Sequence, residues 1–416
     1  MSKTFVLLLI DFGILFLGLG ELSLRQYPNY DLTPYMWGGI AAAGAFIVQI
    51  IILKGKLCKD KWLFPIVMFF SCIGIIMLGR LKPILCVPQI RWLLIGMAVM
   101  VLVLMLAKYF EEILQYQYIL GVVTLFVLCL SLLFGTEIGG SKNWLILGPI
   151  QVQPSEFGKI LLVLFLSSYL SDHRQMLTEV KKRFLFLDLP PLRFIAPLLR
   201  IWGIAILMFV IQRDLGSALL FFCMAVGMTY MATGSKSYVF IALCFFGVGA
   251  LLSYALFSHV QVRFNIWLDP WADPTGQAYQ VVQSLFAFGA GGVWGTGFAH
   301  GQPLLIPEVH TDFIFSAIGE EMGFLGCSAI MLGYMLFFYR GVKIALNCQK
   351  DLYMLSAAGF AVAFFLQAFI IIAGVTKFLP LTGITLPFIS YGGSSMVSGF
   401  IMVGLLLALS NKEKVA

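Results

Sequence analysis

Hydrophobic positions in this chain run on in long unbroken stretches rather than alternating with polar ones. Runs of about 20 apolar residues read as membrane-spanning helices, because hydrocarbon offers no partner to a backbone N–H or C=O. Twelve spans are expected, at roughly 5–20, 36–53, 63–79, 92–110, 117–134, 157–171, 195–211, 217–233, 238–257, 312–339, 353–376 and 387–410. Polar positions collect between them, and three loops stand out: 135–156, 258–311 and 377–387. The longest has a moderately apolar, glycine-rich centre, QVVQSLFAFGAGGVWGTG, too polar and too interrupted to span. An interfacial or re-entrant segment is expected there, and loops of this length are uncommon unless functional.

Composition sharpens this to an all-α polytopic membrane protein. Of 416 residues, 60% are hydrophobic and 11% charged, which excludes an ordinary soluble domain. Lys and Arg orient the chain. With the N-terminus cytoplasmic, 17 fall on the inner side, including those of KGKLCKDK (54–61), VKKRF and the NKEK tail, against 8 on the outer side. The positive-inside rule then puts both termini in the cytoplasm and the three large loops outside. The net charge of +7 is read as these inner-loop lysines, so no nucleic-acid partner is expected. Eight scattered cysteines with no CxxC or Cys/His cluster indicate neither a disulfide framework nor a zinc site. The first apolar run lacks a small-residue cleavage site and is read as a retained helix.

The candidate chemistry lies in the outer loops. In GGSKNWLILGPIQVQPSEFGKI, Lys142 and Trp144 suit a headgroup phosphate, a sugar face or interfacial anchoring. Pro154 and Ser155 suggest a helix start with Ser155 as cap, Glu156 in the first turn and Lys159 one turn on. Arg213 and Asp214 stand side by side between two spans, where charges are functional or paired. In WLDPWADPTGQAY, Asp269 and Asp273 each precede a proline, which biases them to extended conformations. They are ordered loop acids, suited to turn formation or to a general base.

Glu308, His310 and Asp312 cluster where the loop enters a span. Mg²⁺ or Mn²⁺ bridging to a diphosphate suits them better than zinc, with Glu308 and Asp312 as ligands, and Asp312 could equally cap the helix. Glu320 and Glu321 begin inside the span, as functional acids or as partners for Arg213 or Lys159. In KFLPLTGITLPFISYGGSSMVSG, two prolines and the YGGSS turn, with Ser390 before it, break the spans, as is tolerated only inside protein or beside a water-filled cavity. GAGGVWGTG is no nucleotide loop, since it follows no strand and lacks GK[ST]. An amphiphilic, anionic, hydroxylated substrate reached from the bilayer fits these groups. A transferase using a lipid-linked donor, a flippase of such a lipid and a scaffold for a membrane partner all remain open.

RLKPILCVPQIRW, GSKNWLILGPIQVQPSEFGK, QRDLGSALLFF, DPWADPTGQAYQVVQSLFAFGAGGVWGTG, PEVHTDFIFSAIGEEMGFLG and LPLTGITLPFISYGGSS together resemble the SEDS (shape, elongation, division and sporulation) family, in order and spacing, across roughly residues 63–411. The resemblance implies a ten-span core likened to GT-C-type transferases, over 61–416 with its large loop at 258–311. Two additional helices over 1–60 precede it. It implies polymerisation of peptidoglycan glycan strands from lipid II outside the cytoplasmic membrane, with a class B penicillin-binding protein as partner and no nucleotide. The catalytic acid falls by motif on Asp273, in the second DP, rather than on Asp269. Lys142, Arg213, Arg263 or a divalent metal would offset the diphosphate, with Trp144, Lys159, Asp269, Glu308, His310, Lys377 and Ser390 as further substrate contacts. The chain departs from the family pattern at Asn143, where a basic residue is usual, at Ile371 and at Lys377, which could supply a cation lost elsewhere.

Overall fold

The computed structural model describes residues 3–25, 31–55, 57–138, 140–148, 150–179, 182–184, 187–189 and 192–412. Parts of the VKKRF and NKEK stretches lie outside them. Each of the twelve expected spans is helical: Lys3–Arg25, Thr33–Lys54, Leu63–Leu81, Cys86–Leu106, Gln117–Phe134, Pro154–Asp172, Leu192–Ile211, Leu215–Thr233, Lys236–Leu256, Ile314–Asn347, Asp351–Val375 and Gly393–Leu409. Among the described residues, ten segments are long and apolar enough to cross a bilayer by themselves. Pro154–Asp172 is diluted by Glu156, Lys159 and its serines. The last helix starts at Gly393, later than expected, because LPFISYGG is a turn.

The chain forms two compact units. The first comprises 1–107, 266–340 and 367–411. In it Leu63–Leu81 is the central helix, apolar on all sides and buried along most of its length, as a helix enclosed by others must be. Lys3–Arg25 packs on Leu63–Leu81, Thr33–Lys54 on Cys86–Leu106, and Gly393–Leu409 on Cys86–Leu106. Asp60 starts the central helix, accepting the N–H groups of Trp62 and Leu63 and pairing with Arg340. The second unit comprises 108–265, 341–366 and 412–416. Its core is Gln117–Phe134, Pro154–Asp172, Leu192–Ile211 and Leu215–Thr233. Lys236–Leu256 packs on the last of these and buries only Tyr238, so its apolar surface is left for lipid.

The all-α expectation omits a small antiparallel sheet in the loop 135–156: β1 (Thr136–Ile138), β2 (Ser141–Leu147) and β3 (Ile150–Val152), in that order. β2 pairs Trp144 with Thr136, Lys142 with Glu137, and Ile146 with Gln151. A second, two-stranded sheet pairs Lys182–Phe184 with Leu187–Leu189.

The helix Ile314–Asn347 is broken at Gly323, whose φ of 64° and ψ of −164° are accessible to glycine alone. A break frees the carbonyls before it and the N–H groups after it, and near hydrocarbon these must be paired. The glycine-rich stretch supplies the partners. Thr296 and Gly297 donate to the carbonyls of Glu320 and Glu321 at 2.9 and 3.1 Å, and Phe324 and Leu325 donate to those of Gly292 and Val293 at 2.9 and 3.2 Å. Side chains would hold the two backbones apart: a Cβ on Gly291 would strike the Gly319 carbonyl, and one on Gly295 that of Glu321. The segment expected to be interfacial is therefore a helix, Tyr279–Gly291, followed by this backbone-to-backbone seam. Gly323→Ala is expected to lower stability by about 1–3 kcal/mol from backbone strain alone, more with the steric clash, as a fall in the unfolding midpoint of the detergent-solubilised protein. An unchanged midpoint would count against the seam.

Candidate active site

Asp273 belongs to the first unit and lies on the turn between a 3₁₀ segment, Pro270–Ala272, and the helix Tyr279–Gly291. Its side chain is exposed, and its two oxygens accept the N–H groups of Gly276 and Gln277 at 3.1 and 2.9 Å. A Cβ at Gly276 would collide with that carboxylate and displace it, so the glycine of DPTG leaves the carboxylate its place. Each oxygen keeps a lone pair for a further donor. Asp269 is also exposed and, among the described residues, accepts only the N–H of Trp271, at 3.0 Å. The sequence expectation of two ordered loop acids holds, and the structure separates them by how fully each carboxylate is oriented.

Lys377, at φ 62°, is the residue that ties this loop down. Its carbonyl accepts the indole N–H of Trp267 at 3.2 Å, and its Nζ lies 3.4 Å from the Leu268 carbonyl. The structure thus places the expected extra cation against the loop backbone just before Asp269. Ser390 is buried, accepts from the Leu386 N–H at 3.0 Å and donates to the Thr311 carbonyl. Tyr391 N–H donates to the His310 carbonyl at 3.1 Å, so the YGGSS turn braces the segment 308–312 from below.

In that segment Glu308 is exposed at φ 54°, with Oε2 3.6 Å from His310 Nε2. Asp312 accepts the Thr311 hydroxyl at 2.7 Å. Among the described residues no three His, Cys, Asp or Glu side chains gather as a metal site. The donor set fits only the looser case, a hard divalent ion on one carboxylate completed by substrate oxygens, with Glu308 as that carboxylate. Burial, then the nearby Lys82, holds His310 below its ordinary value of 6.5, against the pull of Glu308. Lys82 was not singled out from sequence, although RLKPIL precedes a helix start; it is exposed and adds a cation beside His310.

At the Gly323 break Glu320 and Glu321 turn onto the following loop. Glu320 accepts the Gln302 N–H at 2.7 Å, and Glu321 binds Arg80 at 3.1 Å and the Ala299 N–H at 3.0 Å.

The second unit holds the other candidates. On β2 the strand period puts Lys142 and Trp144 on one face and Asn143 on the other. Lys142 is exposed, and Asn143 is buried with its amide donating to Asp214 at 2.7 Å. Asp214 also caps the helix Leu215–Thr233 through the Ser217 N–H and hydroxyl, at 3.0 and 2.8 Å. Arg213 and Asp214 are therefore not a surface pair. Arg213 takes φ 60°, stays exposed and lies 3.6 Å from Glu137. Ser155 is not the cap of its helix, for Pro154 occupies the first turn and Gln153 the cap position. Lys159 and Glu156 form the expected pair at 2.5 Å, both buried. His259, four residues before Arg263 on the helix Ser258–Leu268, was also overlooked. Burial, then Arg213 and Arg263, lowers its pKa.

Two predictions follow from these placements. Removing one partner of a buried ion pair costs about 3–5 kcal/mol, whereas replacing both with neutral groups of similar size costs far less. Lys159→Met is accordingly expected to be more destabilising than Lys159→Met with Glu156→Gln, in thermal unfolding of the purified protein; strict additivity would refute the pairing. Because His310 binds its proton more weakly when folded, its contribution to stability is complete above pH 6.5 and is lost as pH falls below it. His310→Gln is expected to lose less stability than wild type between pH 7.5 and about 5.

The cell cycle protein family model of FtsW, RodA and SpoVE matches residues 55–415. The peptidoglycan glycosyltransferase RodA of Mycobacterium tuberculosis strain H37Rv is 37% identical over 395 residues, covering 92% of this chain and 84% of that one. Stage V sporulation protein E of Bacillus subtilis is 34% identical over 302 residues, covering 71% and 79%. Among solved structures, a chain from a peptidoglycan synthase complex that coordinates polymerisation and crosslinking aligns with a TM-score of 0.68 at 26% identity, over 85% of this chain and 98% of that one. Thermus thermophilus RodA aligns at 0.60 and 26%, over 86% and 98%. A family match over residues 55–415 makes this protein a member of the FtsW/RodA/SpoVE family, integral to the membrane.

Proposed function

We propose that this chain is a peptidoglycan glycosyltransferase that polymerises glycan strands from lipid II outside the cytoplasmic membrane, in elongation, division or sporulation. The observation that carries the reading is Asp273: an exposed carboxylate, oriented at both oxygens by backbone N–H groups, above a glycine that leaves it room. Asp273 takes the proton from the 4-hydroxyl of the acceptor GlcNAc. That oxygen bonds to the anomeric carbon of the donor MurNAc as the bond to undecaprenyl diphosphate breaks on the opposite face. The alpha link becomes beta, and the electron pair leaves on the diphosphate. One base and a stabilised leaving group suffice for such a displacement.

The anionic leaving group calls for cations. Lys142, Arg213 and Arg263 are proposed for it on charge and position in loops, and Lys82 beside His310 is a further candidate. When bound at Glu308, Mg²⁺ or Mn²⁺ would add charge to offset the diphosphate. The donor already carries its bond energy, so no nucleotide is needed. The Lys and Arg distribution supports cytoplasmic termini and an extracytoplasmic site. Likeness to a chain of a synthase complex supports a class B penicillin-binding protein as partner. The helices before residue 61 are proposed as an addition to the catalytic core.

The test is lipid II polymerisation by purified wild type, Asp273→Asn and Gly276→Ala, with and without the partner. Asparagine keeps an acceptor for the turn but cannot hold the proton, so a loss of about 10²–10⁴-fold is expected with the fold intact. Gly276→Ala, which leaves Asp273 in place but pushes its carboxylate aside, is expected to lose activity too. Equal polymer from wild type and Asp273→Asn would remove Asp273 as the base and move the role to Asp269 or Glu308. Lipid II moved across liposomes without polymer would favour a flippase. Function surviving with partner binding alone would favour a scaffold.

A further inference from the structure

Arg25 ends the first helix, Lys3–Arg25, which lies before the stretch that the family model matches. Its guanidinium reaches far along the chain. Nη1 donates to the Ala299 carbonyl at 2.8 Å, and Nη2 lies 3.4 Å from the Phe298 carbonyl and 3.2 and 3.3 Å from the His300 ring nitrogens. Nε meets Glu21 of its own helix at 3.2 Å. His300 Nδ1 is 3.0 Å from the Phe298 carbonyl. With the proton there, Nε2 is left to accept from Arg25.

The target is a strained point. Ala299 takes φ 61°, a conformation that persists only where the surroundings over-determine it. Its N–H is held by Glu321, which is itself fixed by Arg80, and Arg80 donates to the Gly301 carbonyl at 3.1 Å. The same residue is thus gripped on its N–H side from the broken helix and on its carbonyl side from the N-terminal helix. That helix is seated closely, since a Cβ on Gly18 would come within 2.8 Å of Ile76. The neighbouring helix is tied in as well, by Arg91 stacked 4.8 Å over the Trp37 ring. A rigid planar fork suits two carbonyls and a ring nitrogen; a lysine ammonium offers no such match.

We infer that Arg25 is a positioning residue: through it the first helix braces residues 298–300, the chain that connects the helix following the Asp273 turn to Glu308 and His310. The functional half of this rests on the polymerase reading; the brace itself does not. The test measures amide hydrogen exchange and lipid II polymerisation for full-length wild type, Arg25→Ala and Arg25→Lys. In Arg25→Ala, amides of 296–302 should exchange roughly tenfold faster while those around Asp60 and Arg340 keep their protection. kcat should fall several-fold with KM unchanged, and Arg25→Lys should be intermediate in both. Unchanged exchange at 296–302 overturns the brace whatever the activity. Faster exchange with wild-type kcat overturns the positioning role. If Arg25→Ala exchanges faster everywhere, it has lost its fold, and Arg25→Lys decides by the same two criteria. If wild type makes no glycan, the polymerase reading fails while the exchange result still decides the brace.

Discussion

A helix cannot stop and restart beside hydrocarbon unless every backbone group it releases is paired, and the first unit is organised around one place where this happens. At Gly323 the released groups are met by residues 292–297, and glycines on both sides let the two backbones come together. The break has a second effect. It turns Glu320 and Glu321 out of the helical ladder and onto the loop that follows the seam, where they hold Ala299 and Gln302. Arg80 from the central helix then locks Glu321 in place. A loop that sequence composition alone would leave loose is fixed at backbone level from a rigid element, which is what a site needs if its groups are to stay in register with a substrate.

The twelve helices were legible because a span of apolar residues has almost no other stable form in lipid. The turn acids were legible too, since Asp-Pro restricts its own backbone. What escaped was set by partners distant in sequence. The glycines of GAGGVWGTG read as a span-breaker, but their purpose depends on GEEMG some twenty-five residues later. β1–β3 escaped because strands this short carry no clear alternation and are held by pairing. Ser155 resembled a cap because it stands beside a proline, yet proline's own preference for the first helical turn moved the cap to Gln153. The backbone and side-chain partners of Ser390 and Lys377, in Thr311, Leu386 and Leu268, also lie far along the chain or across a turn from them.

The two oxygens of Asp273 are oriented by the backbone N–H groups of Gly276 and Gln277. In the proposed reaction a carboxylate held by such fixed contacts meets the sugar hydroxyl in register, and a misplaced oxygen would lose the reaction. Asp269, with one such bond and no glycine beneath it, lacks that orientation.

The charged side chains divide by what meets them. Glu156 with Lys159, Asp60 with Arg340, Glu321 with Arg80, and Asp214 with Asn143 and Ser217 are buried acids satisfied by specific protein partners. In a medium that punishes an unpaired charge, each is tied to the helix ends it secures. Asp273, Glu308, Lys82, Lys142 and Arg213 stay exposed on loops, where water can solvate them until a ligand arrives. The first set supplies the rigidity on which their placement depends. Arg25 belongs to neither group: it is exposed, yet it meets Glu21 of its own helix and directs its other donors to residues 298–300. That combination ties the first helix to the same loop that Arg80 and Glu321 hold.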